Sequence, residues 1–89
     1  KALEMGLINR VVPAGELKAA TRSLAEAISA RAPLALRAVK EALLRSYDLP
    51  LDEGLRLEGL LRRIVGDTQD AQEGVRAFLE RREPQFSGK

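Results

Sequence analysis

Carboxylates are the side chains of this sequence best suited to acid–base chemistry: Asp52 with Glu53, the series Asp67, Asp70 and Glu73, and the isolated Glu58. Two carboxyls can serve as acid and base when their surroundings push their pKa values apart. Each of these also has a plainer use. All but Glu58 fall at predicted helix starts, where capping and the helix dipole favour negative charge. Glu58 lies near the apolar side of a predicted helix, where a half-buried carboxylate needs an arginine or a backbone donor; a structural ion pair serves that need as well as catalysis would. Histidine and cysteine are absent. Their absence removes a Ser/His/Asp triad, the commonest general base, thiolate ligands and disulfides. The glycines are scattered singly and form no phosphate loop. No catalytic residue and no metal ligand is assigned.

A binding role is easier to place. The stretch EGVRAFLERREPQF, from Glu73 to Phe86, holds Gly74 inside a helical pattern, at a cost of about 1 kcal/mol relative to alanine. Close packing of another backbone against that spot would explain it. Phe78 lies four residues on and shares the face, and Arg81 lies three beyond Phe78, so both can reach one ligand or partner. Arg76, Arg81, Arg82 and Lys89 make the last quarter mildly basic, which suits an anion such as a nucleotide phosphate. The alternatives are a core aromatic and a solvated charged face.

The elements that must carry these residues are helices. Lys1–Met5 reads as a last helical turn stopped at a left-handed Gly6. Leu7, Ile8, Val11 and Val12, ended by Pro13, read as one short strand, which needs partner strands that the rest of the sequence does not offer. A first helix is predicted from Gly15 to Ala30, on Leu17, Ala20, Leu24, Ala27 and Ile28. Pro33 opens a second, with Leu36, Val39, Leu43 and Tyr47 as a stripe and Ala35, Ala38 and Ala42 beside it. A third begins near Asp52 as its cap, with Leu57, Leu60, Leu61, Ile64 and Val65 on its apolar side. The fourth begins near Thr68, buries Ala71, Val75, Phe78 and Leu79, and stops at Pro84, leaving QFSGK as a tail. The fold class is therefore mainly α, one short N-terminal strand followed by four amphipathic helices, in a single unit spanning 1–89.

Composition limits the partners. The net charge is +2, from 15 basic and 13 acidic residues interleaved along the chain, which is the pattern of solvated helices and not of a nucleic-acid-binding stripe. No apolar run approaches the roughly 20 residues that span a bilayer. No nucleic acid, no membrane and a cytoplasmic location are expected.

Three segments, MGLINRVVP, LAEAISARAPLALRAVKEAL and DTQDAQEGVRAFLERREPQFSGK, together resemble the C-terminal part of the enoyl-CoA hydratase/isomerase (crotonase) family. The last segment is the most specific, through Glu73-Gly74, Ala77-Phe78, the basic pair, Pro84 and Phe86. The resemblance implies a helical region used in trimer assembly, often as a dimer of trimers. It follows a spiral core of ββα turns, which is expected to lie outside this sequence. It also implies an acyl-CoA substrate and no separate cofactor. Backbone N–H groups of the core would stabilise an enolate-like oxyanion, and two glutamates of the core would handle water and proton; none of these maps onto the present residues. One site does. In family hydratases the last helix supplies a Phe and, three residues later, a basic residue to the nucleotide end of CoA, typically across a subunit boundary, matching Phe78 and Arg81. Lysine is frequent at the second position; Arg81 keeps the charge and adds a forked donor. The lone strand would then join the core, and the sequence alone is expected to be inactive. The competing reading is a self-contained helical interaction or assembly module; a basic helical nucleic-acid binder rests only on the Arg62–Arg63 and Arg81–Arg82 pairs.

Overall fold

The protein is described by a computed structural model covering residues 1–89. Its four helices are α1 (Leu17–Ser29), α2 (Pro33–Arg45), α3 (Leu51–Gly66) and α4 (Gln69–Glu80), with a 3-10 turn at Ala14–Glu16 leading into α1. The punctuation residues explain most boundaries. Ala32, ahead of Pro33, has extended geometry (ψ 120°), and Pro33 is the first residue of α2. Pro50 takes the equivalent place before α3, so Asp52 lies inside the helix and does not cap it. Asp52 still supplies negative charge to the first turn. Thr68 is a true cap: its Oγ1 accepts the Ala71 N–H at 3.1 Å.

The N-terminal turn has the expected form. Gly6 has φ 74°, the Gly6 N–H donates to Leu3 O at 3.1 Å and the Leu7 N–H to Ala2 O at 3.0 Å. This is the paired bonding that closes a helix end through a left-handed residue. The predicted strand is not formed. Residues 7–12 are irregular, because no other segment provides a ladder of donors and acceptors. Asn9, Arg10 and Val12 instead border a cleft with Leu17, Ala20 and Leu24 of α1.

Packing is sparse. α2 lies along α3, α3 meets α4, and α1 packs mainly on the turn before it. Along the α2–α3 seam, Ala35, Ala38 and Ala42 of α2, flanked by Val39 and Leu43, border a cleft with Leu61 and Val65. Of the expected stripe Leu36, Val39, Leu43 and Tyr47, Leu36 is half-buried and the other three are exposed, Tyr47 to 93%. On α4, Val75, Phe78 and Leu79 are also exposed, and Ala77 and Asp70 are the two buried residues of the chain. The molecule is a slab of 42 × 39 × 18 Å with a radius of gyration of 16.6 Å, against about 12 Å for a compact domain of this length. Its accessible surface is 7971 Å², where a compact monomer of this mass would show about 5,200 Å². The helices have formed their apolar faces without an internal core to bury them.

Candidate functional site

The end of α4 and the residues after it form the most ordered polar arrangement in the molecule. The helix closes at Arg81, which has φ 55° and ψ 42°. The Arg81 N–H donates to Phe78 O at 3.2 Å and the Arg82 N–H to Ala77 O at 3.0 Å, the same closure seen at Gly6. Glycine usually takes that position; for a residue with a Cβ it costs about 1–2 kcal/mol. Arg81 is the one residue other than glycine with positive φ.

The chain then runs back along α4. Glu73 accepts both guanidinium arms of Arg82, at 2.5 and 3.0 Å, and the Gln85 N–H at 2.9 Å. Arg82 also donates to Glu80 at 2.6 Å and to Glu83 O at 3.2 Å. One turn earlier, Asp70, 2% exposed, accepts the Ser87 N–H at 2.7 Å on one oxygen and the Gly88 N–H at 2.8 Å on the other. Its own N–H donates to Lys89 O at 3.0 Å. The Phe86 ring lies over Gly74, 3.7 Å from where a Cβ would stand. Residues 82–88 thus form a strap along α4; at Gly88, with φ 76°, a Cβ would stand 3.7 Å from the Pro33 ring at the start of α2.

These contacts set the local electrostatics. Hydrogen bonding from Arg82, then from the Gln85 N–H, holds the Glu73 carboxyl at about 2, well below its ordinary 4.5; partial burial opposes this, and the charges of Arg82 and Arg76 add to it. The same pairing, with Glu80 contributing, raises the Arg82 guanidinium further above its usual range. Glu73 thus acts as a paired carboxylate, not as an acid poised to exchange protons near neutrality.

Of the residues singled out in the sequence, Phe78 and Arg81 lie at the C-terminal end of α4, both exposed, Phe78 to 82%. The ion pairs are Arg45–Glu41, Arg82–Glu73 and Arg82–Glu80, so Arg81 belongs to none. The C-terminal end of a helix is the negative end of its dipole, and a cation such as Arg81 is favourably placed there. Glu58 is exposed on the rim of the α2–α3 cleft, beside Arg62, and has no ion-pair partner; the expected half-buried pair is not formed. The strap was missed from sequence. Its signal was present in the i, i+3 pair Asp70 and Glu73, which also satisfies the simpler pattern of acids at a helix start. No group of three or more Asp or Glu is placed to hold a metal ion. No helix is long and apolar enough to cross a membrane.

The family model for enoyl-CoA hydratase/isomerase matches residues 1–89. The (E)-benzylidenesuccinyl-CoA hydratase of Thauera aromatica is 42% identical over 88 residues, covering 99% of this chain and 34% of that protein. The methylmalonyl-CoA decarboxylase of Escherichia coli K12 is 43% identical over 91 residues, with 99% and 34% covered. The enoyl-CoA hydratase structure from Bacillus anthracis superposes with a TM-score of 0.95 at 36% identity, covering 99% of this chain and 34% of that one. The chain spans about a third of the length of the curated relatives it matches. A helical arrangement that superposes this closely on solved hydratases, together with a family match along its whole length, shows that the chain belongs to the enoyl-CoA hydratase/isomerase family.

Proposed function

We propose that this chain is the C-terminal, oligomer-forming and CoA-facing third of an enzyme that hydrates or isomerises the double bond of an enoyl-CoA thioester. In this reading Phe78 stacks on the adenine of CoA and Arg81 binds its phosphates. The observation that carries it is the pair itself: an aromatic ring left in solvent, one turn before an unpaired arginine held in a left-handed conformation. Glycine is the residue that usually closes a helix in this conformation, and arginine stands here instead. Strained backbone that persists at a side chain with no internal partner points to function.

The relatives support the same division of labour. One is named as a hydratase and another as a decarboxylase; what the names share is the CoA thioester and not the reaction. A segment similar in both suits the common part of the substrate. The exposed apolar faces of α1, α2 and α4 suit burial against the catalytic core and against neighbouring subunits, as a trimer or a dimer of trimers, and argue against a self-contained module.

In the full-length enzyme, Phe78→Ala and Arg81→Ala should each raise the Kd for CoA, with little effect on affinity for a short acyl-pantetheine lacking the nucleotide. Loss of base stacking is worth about 1–3 kcal/mol and loss of a charged hydrogen bond about 1.5–3 kcal/mol. The 89 residues alone should leave crotonoyl-CoA absorbance unchanged. Turnover by them, or unaltered CoA affinity in both variants, would refute the proposal.

A further inference from the structure

The strap after α4 is held by carboxylates that the proposed CoA contact does not use. We infer that Asp70 and Glu73 are positioning residues for Arg81: by pinning residues 82–88 back along the helix, they hold the reversal that points Arg81 outward beside Phe78. The inference rests on the reading of Arg81 as a ligand contact, and deepens it.

The geometry is continuous. Arg81 stands at a turn with the helix behind it and the strap ahead of it. The helix side is closed by the bonds from Arg81 to Phe78 and from Arg82 to Ala77. The strap side is held at two points one helical turn apart: Arg82 and Gln85 on Glu73, then Ser87 and Gly88 on Asp70. A left-handed arginine is strained and needs surroundings that over-determine it. The strap supplies them: Arg82 carries both the backbone bond to Ala77 that closes the turn and the guanidinium bonds to Glu73 that fasten the strap. Neither carboxylate pairs with Arg81, so any effect on its ligand passes through the backbone. Every hydrogen bond of the strap is made within residues 70–89.

Two measurements test this. In the full-length enzyme, Asp70→Asn and Glu73→Gln should each speed amide exchange at Arg82, whose N–H closes the turn, while exchange within α3 is unchanged. Ser87→Ala keeps the backbone donor, loses only the longer 3.3 Å hydroxyl contact, and should match the parent. In the full-length enzyme, Glu73→Gln should weaken CoA binding by about three- to tenfold when Arg81 is present and by no more than about 1.5-fold in an Arg81→Ala background, the non-additivity expected of coupled residues. Equal weakening in both backgrounds, or Arg82 exchange unchanged in both strap variants, overturns the positioning role. If Arg81→Ala itself leaves CoA affinity intact, the ligand reading is what has failed, and the exchange data alone then decide whether the strap fixes the turn. Should Asp70→Asn fail to fold, Glu73→Gln, at a more exposed carboxylate, carries both measurements.

Discussion

Replacing Arg81 with glycine separates strain from function. The φ of 55° and ψ of 42° at Arg81 cost a side-chain-bearing residue about 1–2 kcal/mol, and Arg81→Gly removes that cost. Two losses oppose the gain. Glycine adds about 0.5–1 kcal/mol of unfolded-chain entropy, and the cation's favourable place at a helix C-terminus, worth about 0.3–1 kcal/mol, disappears. The sum lies near zero, so Arg81→Gly should leave stability within about 0.5 kcal/mol of the parent or slightly raise it. The informative comparison is Arg76→Gly, the same change five positions earlier within α4, where glycine should cost about 1 kcal/mol, or roughly a factor of five in the folding equilibrium. Urea unfolding followed by helix circular dichroism is the assay, since Tyr47 is 93% exposed and reports little through fluorescence. Destabilisation of Arg81→Gly as large as that of Arg76→Gly would refute the strain argument. Matched stability with weakened CoA binding would mean that arginine stands there for its ligand and not for the fold.

The other predictions rest on separate observations. Gly74→Ala should stabilise the chain by about 1 kcal/mol, because the added Cβ meets Phe86 at 3.7 Å, an ordinary contact; a rise in the urea midpoint would bear this out, and a fall would mean that Phe86 cannot tolerate a methyl group. Strap docking should depend on pH through Glu73. Its carboxyl is lowered in the folded state from 4.5 to about 2, so the unfolded chain binds the proton more readily, and the stabilisation is complete above about 5 and lost as pH falls toward 2. Exchange at the Gln85 amide, followed from pH 5 downward, should show the strap loosening in that window and not above it. Light scattering of the 89 residues should show mass rising with concentration, because Leu24, Ile28, Leu43, Ile64 and Leu79 are exposed; a concentration-independent monomer would favour the self-contained module.

Most helix boundaries were legible in the sequence because they are set by short-range chemistry: a proline that cannot donate at Pro33, a hydroxyl cap at Thr68, a left-handed glycine at Gly6; the cap of α3 was assigned to Asp52, whereas it is Pro50. What was not legible depends on what the chain meets. Residues 7–12 have strand composition, but a strand is a pairing, and no partner is within reach. Phe78, Val75 and Leu79 were read as a buried stripe because apolar periodicity records a face suited to burial, without saying which polypeptide buries it. Asp70 and Glu73 were read as dipole partners because the first turn of a helix attracts acids for that reason alone. Their second use depends on a reversal at Arg81 that arginine does not advertise. Gly74 was read as a place where another backbone packs closely; its neighbour is instead the Phe86 ring, at ordinary contact distance from where a Cβ would stand. Phe78 and Arg81 were paired by spacing and resemblance, and the structure leaves both accessible.

Arg81 and Arg82 are adjacent and chemically identical, yet they present different charges to the outside. Arg82 has its guanidinium enclosed by Glu73, Glu80 and a carbonyl, which cancel its field within a few ångströms, whereas Arg81 has no such company. A tally of basic residues in this stretch therefore overstates what an approaching anion would feel. If Arg81 is the phosphate contact proposed above, salt should weaken nucleotide binding with the shallow dependence of a few contacts and not with the steep one of a cationic surface.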